Sequence, residues 1–147
     1  MRHSILTLAL LGGLSSALSA QEADNWQLLS EATVSETEEN GIWRAEKYFP
    51  EALRAAASSF EIDGYLVPVL AEPYIQHFLL VADPDDCPFC GSSGYGPALE
   101  VNLRKPLPDL PEFSQITVRG ELELIDDPET FQLYRLNDAV PVTDAGS

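Results

Sequence analysis

The stretch DPDDCPFCGSSG, residues 83–94, holds the only two cysteines of the chain, Cys87 and Cys90. A Cys-x-x-Cys pair supports three chemistries. It can exchange disulfides, clasp a metal ion or close as a plain structural disulfide. A redox-active pair needs a depressed thiol pKa, which a helix N-terminus supplies. Here Cys90 is followed by Gly-Ser-Ser-Gly-Tyr-Gly-Pro, a poor helix, and Asp83, Asp85 and Asp86 stand just upstream. Nearby negative charge disfavours the thiolate. A thiol-disulfide partner role, with Cys87 as the more exposed, attacking sulfur, is the alternative that survives.

A metal site needs more donors than two sulfurs, because structural zinc takes four ligands. Beyond the leader the chain has one histidine, His77, and no methionine. A mononuclear site for zinc or copper is therefore drawn from Cys87, Cys90 and His77 with one of Asp83, Asp85 or Asp86. Asp86, next to Cys87, is the carboxylate of choice, and two chains together offer a four-sulfur site instead. The absence of methionine argues against a methionine-rich copper carrier. A calcium-loop pattern counted from Asp83 fails, since Pro88 stands where glycine is required and Gly94 where glutamate is required. A Cys87–Cys90 disulfide is the default state in an oxidising compartment. It closes so short a loop that it adds little stability.

Other catalytic patterns are missing. Ser92 and Ser93 lie in G-S-S-G, not in a G-x-S-x-G elbow, and no second histidine outside the leader is available to a triad. Glu121 and Glu123 share one side of a predicted strand, as solvated acids commonly do. Tyr65, Tyr74, Tyr95 and Tyr134 suit either a binding surface or strand packing. No catalytic residue is assigned, and the chain is read as a non-enzyme.

The 147 residues suffice for one modest domain. MRHSILTLALLGGLSSALSA has a short polar start, an apolar run from Ile5 to Leu14 and a small-residue stretch ending at Ala20. That is the three-part form of a secretory signal peptide, with cleavage expected after Ala20. The apolar run is too short for a permanent span, so no membrane insertion is expected after cleavage, and the periplasm is the expected location. The chain has 24 Asp and Glu against 8 Lys and Arg, a net charge of −16. Such a surface repels nucleic-acid phosphates and anionic lipid. Metal cations and an envelope protein with a basic patch are compatible partners. Oligomeric state is not legible.

These side chains need a scaffold. Residues 21–47 read as an acidic lead-in with a short helix capped by Asn25. An Asn40-Gly41 turn follows, and Trp26 and Trp43 are expected to drape over the core. FPEALRAAASSF places Phe49, Leu53, Ala56, Ala57 and Phe60 at helical spacing and predicts a helix over about 50–58. FEIDGYLVPVL, YIQHFLLVA, PALEVNL, ITVRGELELI and TFQLYRL then read as strands, with AVPV extending the last. Gly64 suggests a bulge. His77 shares a parity with Ile75, Leu79 and Val81, the position of a half-core histidine or of a ligand. The three prolines of RKPLPDLPEF exclude regular structure there. Five strands in so short a stretch predict a small five-stranded antiparallel OB-like barrel over residues 48–147. One end would be plugged by the helix that precedes the first strand.

The order GYLVPV, HFLLVADPDDCPFCG, PALEVNL resembles a family of small secreted bacterial proteins grouped as a domain of unknown function. The resemblance covers roughly residues 60–142, with a weaker echo around Trp26. It implies an exported OB-like β domain, occasionally associated with metal-transport systems, and no established reaction. Members often carry a single cysteine followed by histidine and several prolines. Cys87-Pro88-Phe89-Cys90 departs from that pattern, so no Cys-His site is carried over. The functional expectation is an exported binding module, in metal handling or as an accessory to an envelope transport system. A structural interaction module braced by its disulfide is the remaining alternative.

Overall fold

The computed structural model describes residues 25–86, 98–108 and 110–142. The expected signal peptide, Cys87 and Cys90 lie outside the described residues, as does Tyr95. Helix α1 covers 25–30. Strands β1 (Thr33–Glu39) and β2 (Ile42–Tyr48) form a separate hairpin, and α2 (Glu51–Ala56) runs into a 3-10 turn at Ala57–Ser59. Then come β3 (Phe60–Pro68), β4 (Tyr74–Val81), β5 (Ala98–Pro108), β6 (Gln115–Leu124) and β7 (Tyr134–Pro141).

The last five strands close a barrel in the order β3-β4-β5-β7-β6, with β6 returning to β3. Four of the five pairings are antiparallel, but β5 and β7 run parallel, so the barrel is mixed rather than antiparallel throughout. The parallel pair arises because β6 is laid down between β3 and β7, which leaves β7 to meet β5 from the same end. Period-2 alternation fills the interior. Ile62, Leu66, Phe78, Leu80, Leu99, Val101, Val118 and Leu136 are all fully buried. Leu53 of α2, with Phe49 and Phe60, joins the same core, as the helical spacing predicts.

Helix α1 has a defined task. β4 has no residue opposite Glu61 or Asp63, and the carbonyls of both would lack ladder partners there. Asn25 Nδ2 donates to the Glu61 carbonyl at 2.5 Å and Trp26 Nε1 to that of Asp63 at 2.7 Å. Asn25 thus serves β3 through its side-chain nitrogen, while Leu29 is buried in the core.

Three sequence expectations change. β5 continues through Pro106 and Pro108, where prolines were expected to exclude a strand. Its register with β7 ends at Leu103, so the missing N–H groups cost no bond on that side. Gly64 is not bulged: it pairs in register with Ile116. A Cβ there would lie 2.7 Å from the Val81 carbonyl oxygen, so close packing of β3 on β4 is what requires glycine. Trp43 does not drape over the core, being 59% exposed near the hairpin tip. The Asn40-Gly41 turn is present, with φ of 55° and 76°, as a two-residue hairpin of positive-φ residues demands.

The register of β6 on β7 shifts between Arg119 and Glu121, where the two backbones crowd. A Cβ on Gly120 would stand 2.5 Å from the Asn137 carbonyl oxygen and 3.0 Å from Ala139 Cα. Asp138 takes φ 52° beside it, a conformation Asp tolerates. On the surface Arg104 grips Asp138 through two hydrogen bonds, which hold the Asp138 carboxyl below its usual range. Gly120→Ala should therefore lower stability by about 1–3 kcal/mol, read as a shift in the urea midpoint. An unchanged midpoint would contradict the close approach. Burial raises the Tyr134 phenol to about 12. An unfolded tyrosine ionises near pH 10, so the stabilisation is complete below that pH and lost as pH rises through about 12. Alkaline unfolding should be postponed to higher pH in Tyr134→Phe, and the late step in phenolate absorbance should vanish.

Candidate metal centre and the outer polar ladder

The Cys-bearing segment connects two paired strands. β4 and β5 end in register, with Leu80 opposite Leu99 and Val81 opposite Ala98, so residues 82–97 start and finish on adjacent strands. The start is ordered by a 3-10 turn at Pro84–Asp86, where the Asp85 N–H donates to Asp83 Oδ1 at 2.9 Å. Asp83 is thereby engaged with its own backbone. Asp86 closes the turn immediately before Cys87.

His77 stands four residues before the end of β4, and its surroundings differ from the sequence expectation. The β4–β5 register shifts between Ile75 and His77, which puts Ile75 and Phe78 inside and turns His77 outward. The parity shared by Ile75 and His77 in sequence is broken by one residue. The histidine is 43% exposed and faces Asn102, its register partner on β5.

From there a chain of hydrogen bonds crosses four strands. His77 Nδ1 lies 2.7 Å from Asn102 Oδ1, Asn102 Nδ2 donates to Asn137 Oδ1 at 3.0 Å, and Asn137 Nδ2 donates to Glu123 Oε2 at 2.7 Å. Its direction follows from chemistry. An ionised carboxylate only accepts, so the Asn137 amide nitrogen must face Glu123 and its oxygen must face Asn102. Asn102 then turns its own oxygen to the histidine, so Nδ1 carries the hydrogen. In the neutral ring, Nε2 is left with the free lone pair.

Glu100 lies beside this ladder, with Oε1 at 3.6 Å from His77 Nε2. It is already held from the other side. Arg135 Nε lies 3.0 Å from the same oxygen, and Gln132 Nε2 donates to Oε2. Arg135 Nε is buried and out of line for a hydrogen bond, so charge proximity rather than directed bonding ties it to Glu100. Arg135 Nη2 also donates to Gln132 Oε1 at 3.2 Å. A carboxylate so occupied has little capacity left for a cation.

Among the described residues, no group of three or more His, Cys, Asp or Glu side chains is placed to hold a metal ion. His77 is brought to Asn102 and Glu100. Of the remaining proposed ligands, Cys87 and Cys90 lie outside the described residues, and nothing is described of the Asp86 side chain. Sequence reasoning missed Asn102, Asn137, Glu100 and Arg135 as a unit. The available signal was the outward alternation of Glu100, Asn102 and Arg104 in PALEVNLR, which repeats in Glu121 and Glu123. Of the described tyrosines, Tyr134 is buried and serves packing, Tyr65 is half-buried and Tyr74 is exposed. Among the described residues no helix is long and apolar enough to cross a membrane.

Comparison with family models, curated proteins and solved structures finds no match to this chain. The ladder makes a direct prediction. In the neutral protein, imidazole 15N shifts should report the Nδ1–H tautomer at His77, and Asn102→Leu should move the ring toward the commoner Nε2–H form. An unchanged tautomer in the variant would remove Asn102 from its orienting role.

Proposed function

We propose that this protein is an exported periplasmic binding module that captures zinc or copper through Cys87 and Cys90 and serves an envelope transport system. Thiolates with a neutral imidazole form a donor set suited to a borderline or soft ion. The observation that carries the reading is the His77–Asn102 hydrogen bond. Ligating histidines commonly donate their other ring N–H to a fixed acceptor, which sets the tautomer and orients the lone pair. Here that acceptor is Asn102 Oδ1 at 2.7 Å, and the ladder behind it holds the asparagine in place. His77 and Asp86 are the co-ligands in this reading. Capture displaces the thiol protons, so affinity rises with pH, and release follows partner docking or thiol oxidation.

The OB-like architecture belongs to the same proposal. The strand order, in which the third and fifth barrel strands pair in parallel, supports it, as does the short helix whose Leu53 joins the barrel core. The apolar packing of the barrel interior supports a ligand held outside it. The signal-like leader, the acidity and the resemblance to the small secreted family support export and a cationic cargo or basic partner.

Protein purified from periplasm without chelator should carry about one zinc or copper per chain together with two thiols that react only after metal removal. Cys87→Ser and Cys90→Ser should each lose the metal while the fold persists. His77→Ala should weaken it by roughly 10–100-fold, and Asn102→Leu should weaken it less. Metal-free protein with no free thiol would overturn the reading in favour of a closed disulfide. A mixed disulfide trapped in either serine variant would assign a thiol-exchange role instead.

A further inference from the structure

The hairpin β1–β2 stands apart from the barrel. It is fastened at its base, where Ala45 N–H donates to the Pro128 carbonyl at 2.8 Å and Lys47 Nζ donates to the carbonyls of Ile125 and Gln132 at 2.8 and 2.7 Å. Beyond that base the strands are exposed on both faces, and Ala45 is the only buried residue in either strand. Among the described residues, the outer edge of β1 has no strand beside it.

The register tells which groups that edge presents. Glu39 and Ile42 flank the two-residue turn and form the closing hydrogen-bonded pair. Alternation then makes Thr37–Arg44 and Ser35–Glu46 bonded pairs, so Val34, Glu36 and Glu38 turn their N–H and C=O groups away from β2. Glu36, Glu38, Glu39 and Glu46 are all exposed, and none belongs to an ion pair among the described residues. Ile42 and Trp43 are more than half exposed at the same tip, and Trp43 is the cross-strand neighbour of Glu38.

We infer that β1 is a docking edge for a basic, extended segment of a partner protein, which adds to the hairpin as a third strand. Strand addition supplies main-chain bonds at Val34, Glu36 and Glu38, and alternate side chains supply selection. Lysine or arginine placed beside Glu36 and Glu38 satisfies carboxylates that have no cation of their own. Trp43 and Ile42 give the added strand apolar surface at the tip. A second copy of this chain is rejected by the same groups. Its own β1 would bring glutamates against glutamates, and like charges across a strand pair are destabilising. The edge thus resists self-association and accepts a strand of opposite charge. This inference does not depend on the cysteines.

The probe is a ten-residue peptide of alternating lysine and valine, titrated into the full-length protein at low salt. Trp43 fluorescence and amide exchange at Glu36 and Glu38 are followed. Saturable binding should shift Trp43 emission to the blue and slow exchange at both amides. Glu36→Lys with Glu38→Lys should weaken binding about tenfold or more. Glu36→Pro removes only an outward N–H, so it should preserve the hairpin, with Trp43 emission unshifted in the free protein, yet also weaken binding about tenfold. A peptide with proline at alternate positions should not bind at comparable concentration. No binding of the lysine-valine peptide overturns the proposal. Equal binding of the proline peptide, or unaltered binding by Glu36→Pro, reduces it to charge attraction without strand addition. A dimer of the free protein that Glu36→Pro dissociates assigns the edge to a second copy instead.

Discussion

Closure of the barrel depends on β5 accepting two neighbours of opposite sense. With β4 it pairs antiparallel from Ala98 to Pro108, and with β7 it pairs in parallel from Glu100 to Leu103. Without the second pairing the sheet would open between β5 and β7 and expose Leu99, Val101 and Leu136 to water. Complete burial of three such side chains contributes on the order of 5–8 kcal/mol, comparable with the whole stability of a small domain. The irregularities elsewhere gather around this junction. β5 shifts register on β7 between Val101 and Leu103, and β7 on β6 between Arg119 and Glu121. Glycine at 120 and a left-handed Asp138 are the local accommodations.

A barrel filled with leucine, valine and phenylalanine leaves chemistry to its exterior. The outer polar ladder occupies the strands that make the closure, running from His77 on β4 through Asn102 and Asn137 to Glu123 on β6. Its members are partly exposed, so each bond contributes modestly to stability. Their larger effect is orientation, since one carboxylate fixes two amides and one ring in series. Arg135 performs a parallel service for Glu100, and Gln132 links that pair to the turn where Lys47 anchors the hairpin. The hairpin and the ladder are therefore mechanically continuous through residues 125–132.

Much of this was legible in the residues. Period-2 alternation in PALEVNL and ITVRGELELI located β5 and β6 and gave the right inward side chains. Helical spacing in FPEALRAAASSF located α2 and the side chains it packs on the core, and Asn40-Gly41 announced a turn, though not the strands β1 and β2 on either side of it. What failed was decided by neighbours rather than by local pattern. Prolines at 106 and 108 are tolerated because β7 has already left β5, which composition does not reveal. His77 faces outward because one irregular residue pair resets the phase of β4, and nothing in YIQHFLLVA marks that shift. Parallel pairing of β5 with β7 is a matter of topology and leaves no trace in either strand. The ladder was hidden for a related reason, since its four members come from four strands.

The pairing of β3 with β6 has one more consequence, which concerns the order of events in time. Asp63 and Thr117, bonded across these strands, are 54 residues apart, and every closing contact waits for the last strands to emerge. Long-range pairing of this kind places folding in the slower, millisecond-to-second regime of small β proteins. α1 and α2 are too short to persist alone, so an incomplete chain has no stable partial structure to rest in. The newly made polypeptide therefore gains its barrel in one late step, once β6 and β7 have both been made.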